Sequence, residues 1–425
     1  MLTSSLILDP SLFILVQGEN QMSRLTTAMR VEAEPQMKLQ NFGRAALADF
    51  FGDMVIYRNL EPLEKKLPGL KAAGYRMGLN SDLIPRKFEP DYAKAALWFA
   101  EEAQRLRKVS ATLREVLFVG DTLLNDGQAY HNLVKLSGWK GACFIGADRL
   151  EQAPTTEIDD KTNLYNANRW VAMGEWMQHV AEQGFALDQQ TLLLVDIDKT
   201  ILGAKGRNDA VIDRARLEGI YHTMDAVLGE DFHRAAFEQQ YSALNRARYH
   251  SLTADNQDYL AYICLVLNTG LISFDDLLSE IETKSLDNFE QFVRWVDSRL
   301  MSRSGVTEAF RQVHEAVRAS LHVGDPTPFK QFRREEFRST AAHMGNLAED
   351  APVDKILAEE ITLTEEVCQL SDWLKSRGAL LLCLSDKPVE ASCPTRQLAA
   401  DLLPLHRIKT HRIGMSIADT LAGLR

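Results

Sequence analysis

Three apolar runs stand out for the residues that follow them: Val116 to Val119 before Gly120 and Asp121, Leu192 to Val195 before Asp196, and Ala379 to Leu384 before Ser385. Short continuous runs of this kind predict strands covered on both faces, as in parallel sheets. Around the first run the pattern predicts a short strand at 54–57, a helix at 60–73, a strand at 75–80, a helix at 91–108, a helix at 126–136 and a strand at 141–145. Strands alternating with helices imply parallel pairing through crossover connections. Residues 147–163, with Pro154 and several acids but no clear periodicity, read as a connector, and a helix at 166–182 leads into the second apolar run.

Between Thr200 and Ser385 the periodicity turns helical, with helices predicted at 210–228, 232–248, 257–267, 274–282 and 289–301. The strand rhythm then returns: a helix at 365–375, the third apolar run, a helix at 394–402 and an edge strand at 405–413. The expected organisation is therefore a core part at 1–150, a connector and central strand at 151–204, a mainly helical insert at 205–360, and a second core part at 361–425. No repeat of solenoid period and no low-complexity tract interrupts it.

With 425 residues, 45% of them hydrophobic and 25% charged, the chain can bury an ample core. Its net charge of -11, with no basic run, argues against nucleic-acid or anionic-membrane partners. The apolar stretch at 6–16 is interrupted by Asp9 and Pro10 and follows no positive cluster, so it suits neither a signal peptide nor a membrane span. Five cysteines without paired spacing indicate neither a disulfide framework nor a zinc site, and a reducing cytoplasm is the expected setting. His250, His314, His322, His343, His406 and His411 form no ligand pair at helical spacing. The sequence leaves the oligomeric state open.

The ends of the apolar runs carry the candidate chemistry. Asp196-Ile197-Asp198-Lys199-Thr200 places two carboxylates and a hydroxyl at a strand tip, and Gly120-Asp121-Thr122-Leu123-Leu124-Asn125-Asp126 places two more acids at another. In open α/β sheets, ligands bind beyond such carboxyl ends. The first segment resembles the nucleophile signature of the haloacid dehalogenase (HAD) superfamily, and the second resembles that family's acidic signature. Leu384-Ser385-Asp386-Lys387 resembles its Ser/Thr signature.

This resemblance implies a Rossmann-like parallel sheet of HAD type with a large, mainly helical cap inserted at 205–360, hinged at Gly203-Ala204-Lys205-Gly206. It implies a Mg²⁺-dependent phosphatase acting on a small phosphorylated metabolite through an aspartyl-phosphate. Asp196 would be the nucleophile and Asp198 the acid and base. Family dehalogenases lack the second acid, so ester hydrolysis is favoured over carbon–halogen cleavage. Mg²⁺, a hard cation needing few carboxylates, would be held by Asp196, the Asp198 carbonyl, Asp121 and Asp126. Ser385 would bind a phosphate oxygen, Thr200 would order the loop, and Lys387 would hold the nucleophile and phosphate, with Lys87 and Lys409 as other candidates. A structural role is also open to Asp121 and Asp126, as a turn and helix cap.

The motif order departs from the family, because the acidic segment precedes the nucleophile. One reading is a single permuted core in which the strand before Asp121 lies beside the strand before Asp196. The other is a fusion of two partial cores, suggested by 70–82, which resembles a second Ser/Thr signature with its helix, and by Leu8-Asp9-Pro10-Ser11, a possible decayed nucleophile segment. Functional alternatives are a non-catalytic binding or regulatory protein with this scaffold, and a phosphotransferase or mutase using the same aspartyl chemistry.

Overall fold

The computed structural model describes residues 38–302 and 305–424; the apolar stretch at 6–16 lies outside them. Ten strands occur among these residues: β1 (Gln40–Ala45), β2 (Val55–Ile56), β3 (Glu115–Gly120), β4 (Lys140–Gly146), β5 (Thr156–Asp159), β6 (Leu164–Ala167), β7 (Thr191–Asp196), β8 (Leu363–Thr364), β9 (Leu380–Leu384) and β10 (Thr410–Gly414). Seven form one sheet in the order β2-β9-β7-β3-β4-β6-β5, parallel except for the antiparallel β5/β6 edge. A small second sheet has the order β1-β10-β8. The protein is a mixed α/β fold with a mostly parallel sheet.

The three apolar runs are the sheet's central strands β3, β7 and β9, and every residue in them is buried. Strand pleating sends alternate side chains to opposite faces. Leu117, Val119, Leu193, Val195, Leu381 and Cys383 pack on one side against helices that include Met173–Glu182 and Glu365–Ser376. Val116, Phe118, Leu192, Leu194, Leu380 and Leu382 pack on the other against Leu70–Met77, Pro90–Leu106 and Gln128–Ser137. These strands lack alternation because both faces are covered.

β3 pairs with β7 from Glu115 opposite Thr191 to Val119 opposite Val195, and β7 pairs on its other side with β9, Asp196 lying opposite Leu384. Strands from both ends of the chain thus join a single sheet, with the ends of β3, β7 and β9 adjacent.

Several sequence expectations are corrected. Residues 75–80 form no strand, because the helix Leu70–Met77 runs through the first half of them and ends at Gly78 in a left-handed conformation. The helix expected from residue 60 begins only at Leu70; Leu60 itself has φ +56°. The connector at 147–163 contributes β5, and the first part of the helix expected at 166–182 completes β6, so the helix starts at Met173. Residues 394–402 form turns rather than a helix. The strand expected at 405–413 starts at Thr410 and joins the small sheet rather than the edge of the large one.

Between β7 and β8 the chain is helical, from Asp209–Leu228 to Lys330–Ala342 and Val353–Glu359. These helices hold a hydrophobic cluster of their own, which includes Phe237, Tyr262, Phe292, Phe310 and Phe332. The helices Asp209–Leu228 and Lys330–Ala342 meet at Gly219, where an added Cβ would lie 2.6 Å from the Glu336 Cα. Gly219→Ala should therefore force these helices apart and cost about 1–3 kcal/mol, read by urea denaturation. Among the described residues, no helix is long and apolar enough to cross a membrane.

Candidate active site

Asp196 is the last residue of β7, and the chain beyond it makes a compact double turn. Leu202 N–H donates to the Ile197 carbonyl at 2.9 Å, Lys199 N–H to the Leu202 carbonyl at 2.8 Å, and Lys199 takes φ +61°. Gly203 N–H donates to the Thr362 carbonyl and Thr364 N–H to the Ile201 carbonyl, pinning the loop to the segment around β8. Thr200 is fully buried, and its Oγ1 donates to Asp196 Oδ2 at 3.1 Å. The hydroxyl thus orients the carboxylate from within the loop.

Beside it, β3 ends at Gly120, and a wide π-helical turn at Leu123–Gly127 brings Asp126 back over the strand end. Asp126 Oδ2 accepts from the amides of Asp121 and Thr122 and from Thr122 Oγ1, each at 3.0 Å. Gly120 is required here: a Cβ would lie 2.4 Å from the Asp126 Cβ. Asp126 does not cap the helix that follows, which has no side-chain cap; it ties the turn after β3 through Oδ2 and leaves Oδ1 for the site. Ligand atoms of Asp121, Asp126 and Asp196 lie within 4.8 Å of one another.

The cation that bridges Asp126 and Asp196 is Lys87, not Lys387. Lys87 is 2% exposed, and its Nζ lies 2.5 Å from both Asp126 Oδ1 and Asp196 Oδ1. Lys387 lines the same cavity at 3.5 Å from Asp198 Oδ2 and 3.6 Å from Glu336 Oε1. Lys409 does not line the cavity. A signal for Lys87 exists in the sequence only as its place, one helix upstream of the strand that carries Asp121; nothing in Pro85-Arg86-Lys87-Phe88 marks it chemically.

Sharing one lysine between two carboxylates divides their behaviour. Burial raises the pKa of Asp126, but Lys87 and the two backbone amides outweigh it and hold the group below the ordinary carboxylate range. Asp196 lacks amide donors; burial, opposed by Lys87 but reinforced by Asp126 and Asp121, pushes it well above that range. Burial and then the charge of Asp126 raise Asp121 to about 6, against Lys205, whose Nζ lies 3.0 Å from Asp121 Oδ2. For Lys87 burial acts downward, yet Asp126 and Asp196 raise its pKa well above the usual value.

Across from β3, Ser385 follows β9 and is 1% exposed; its Oγ accepts from Lys387 N–H at 3.1 Å in a tight turn. Asp198 Oδ1 is buried without a hydrogen-bond partner. Unsatisfied buried carboxylate oxygens are costly and mark places where a ligand or proton is expected. The helical layer adds Arg216 and Glu336. Burial notwithstanding, Arg333, Lys387 and Arg216 hold Glu336 well below the ordinary range. All these groups line one cavity of about 690 Å³. Asp121, Asp126, Asp196, Asp198, Ser385 and Lys387 thus converge, while Thr200 acts from behind Asp196.

The donor set suits a hard divalent cation: clustered carboxylate oxygens, two of them with raised pKa, and no sulfur or imidazole among the three. The second Ser/Thr-like segment, at 70–82, lines no part of this cavity. The segment Gly203 to Gly206 is fastened rather than loose. The adjoining Arg207 is ion-paired with Asp148 and Glu366 at 2.7 and 2.9 Å, and the side-chain Nδ2 of Asn208 donates to the carbonyls of Leu357 and Glu360.

Comparison of the chain with known protein families, with curated proteins and with solved structures finds no match in any of the three.

Proposed function

We propose that the protein is a Mg²⁺-dependent phosphatase of the HAD type, with the helices from Asp209 to Ala342 as its cap and a small phosphorylated metabolite as substrate. The observation that carries this reading is the junction at β7: Asp196 lies between acids at the end of β3 and a serine at the end of β9, with Lys87 bridging Asp196 and Asp126. Phosphoryl transfer needs little more than positioning and charge compensation, and these groups are of the kind that supply both.

In this reading Asp196 attacks phosphorus, forming an aspartyl-phosphate and releasing an alkoxide that takes a proton from Asp198. Asp198 then removes a proton from water, which attacks the acyl phosphate, releasing inorganic phosphate and restoring Asp196. Lys87 opposes the protonation that burial favours in Asp196 and aims its carboxylate, and the Ser385 hydroxyl donates to a phosphate oxygen. Asp121, Asp126 and Asp196 would hold the cation, which neutralises charge on the transferring group when bound.

The direct test is to trap the intermediate. Brief incubation with a small acyl phosphate and Mg²⁺, then acid quench, should leave a stoichiometric phosphoryl adduct that is acid-stable, cleaved by hydroxylamine and absent without Mg²⁺. Absence of such an adduct, together with no turnover of any aryl phosphate, would reject the assignment.

A further inference from the structure

The cavity is larger than a phosphoryl group requires, and its volume falls within the roughly 300–1,000 Å³ of pockets that enclose whole small molecules. The part not assigned above is formed by Arg58 and Arg86 beside the sheet and by His250, Asn256, Gln257 and Thr327 from the helical layer. The cations of the cavity differ in how they are neutralised. Lys87, Arg216, Arg333 and Lys387 each reach a buried carboxylate within 4 Å: Asp126, Glu336, Asp258 and Glu336 respectively. Arg58 reaches only the exposed Asp386, at 3.5 Å. Arg86 makes no ion pair among the described residues; its Nη2 donates to the Ala254 carbonyl at 3.0 Å. The rest of its donor fork is left to the cavity it lines.

The wall that Arg86 touches is held in an unusual backbone conformation. Ala254 and Asp255 both lie in the left-handed region, with φ +50° and +51°. Consecutive non-glycine residues there cost free energy and persist where surrounding contacts over-determine them. Here the contacts are Arg86 and Asn256, whose Nδ2 donates to the Pro326 carbonyl at 2.7 Å and whose Oδ1 accepts from Asp258 N–H at 2.9 Å, capping the helix Gln257–Asn268. The strained turn thus presents polar groups and a helix N-terminus to the same space as an arginine without a carboxylate partner. An arginine fork recognises a carboxylate or phosphate by paired hydrogen bonds. The nearby acids, Asp255 and Asp386, are both exposed, with side-chain exposures of 67% and 44%, and are screened by water.

We infer that the substrate carries a second anionic group remote from the scissile phosphate, a carboxylate or a second phosphate, held by Arg86 and Arg58. This rests on the phosphatase reading for the phosphoryl end. The test measures binding calorimetrically on the full chain carrying Asp196→Asn, with Mg²⁺ present and three probes: phosphoglycolate, ribulose bisphosphate and β-glycerophosphate, whose remote end is neutral. Arg86→Gln should raise Kd for at least one of the two probes with a second anionic group by roughly tenfold more than for β-glycerophosphate, about 1.4 kcal/mol of selective loss. Arg86→Lys should restore part of it, and Arg58→Gln should act in the same direction. Whether phosphoglycolate or ribulose bisphosphate loses more identifies the carboxylate or phosphate form. Equal weakening of all three probes in folded Arg86→Gln overturns the inference, and Arg58→Gln decides alone if that variant does not fold. Failure of the parent to bind any probe overturns this inference and the phosphatase reading together. Selective binding without turnover by the unmodified chain overturns only the phosphatase reading.

Discussion

With Asp196 replaced by Asn, the proposed phosphatase chemistry predicts that hydrolysis of an aryl phosphate should fall by about 10⁴-fold or more, the scale of loss when a covalent nucleophile is removed from a hydrolase. Stability moves the other way or stays level. Burial, with the charges of Asp126 and Asp121 added, pushes the Asp196 pKa well above its ordinary value against the pull of Lys87. A carboxyl whose folded pKa is raised destabilises the fold at every pH where the unfolded chain would ionise it, so at neutral pH a neutral isostere removes a cost. Asn also retains an oxygen to accept from Thr200 Oγ1, and Lys87 keeps Asp126 as a partner. Parallel measurement of kcat and of thermal melting at neutral pH checks both halves. A variant that is inactive and also strongly destabilised would mean that Asp196 serves the fold rather than the chemistry.

Lys87→Met should be costly to both. It removes the cation that lies 2.5 Å from two buried carboxylates while leaving those carboxylates in place. Stripping one partner from a buried ion pair costs about 3–5 kcal/mol, because the charge left behind has no compensation. The sign of the pH dependence follows from linkage. Without Lys87, burial raises the folded pKa of Asp126 and Asp196 above the unfolded value, so the native state binds more protons than the unfolded chain. The deficit therefore grows as pH rises through the folded pKa values and shrinks toward acid. Urea denaturation of the variant and parent at pH 7 and about pH 5 should show the difference narrowing at the lower value, and Mg²⁺ should restore part of the loss at pH 7 by replacing the missing positive charge. A deficit independent of both pH and Mg²⁺ would show that packing of the lysine stem, not its charge, is what the fold requires.

The central strands were legible because their signal is local. A run such as Leu192 to Val195 has no polar position and is short, as suits a strand covered on both faces, and the structure buries every residue of β7. The helices between 209 and 342 were legible for the same reason, through their periodicity. The segments misread were those whose identity depends on a distant partner. Leu164–Ala167 has an ambiguous pattern and becomes a strand because β4 offers an edge at Cys143 to Gly146. Residues 75–80 look like a strand, but their first half continues the helix Leu70–Met77, whose buried face of Leu70, Ala73 and Met77 packs into the core while Tyr75 stays exposed.

The candidate site divides in the same way. Asp121, Asp126, Asp196, Asp198 and Ser385 stood out from the chain, since each sits just after an apolar run and strand tips are where a parallel sheet exposes chemistry. Their assembly into one cavity was not in the sequence, and the inverted order of the acidic and nucleophile segments spoke against it as much as for it. Only the pairing of β3, β7 and β9 settled that, because hydrogen-bond register between strands is a contact between residues far apart in the chain. The lysine shows the limit most clearly. Lys387, Lys87 and Lys409 are all open candidates in the sequence, and it is Lys87 that meets Asp196, since a long flexible side chain is placed by the surface that buries it and not by the residues beside it.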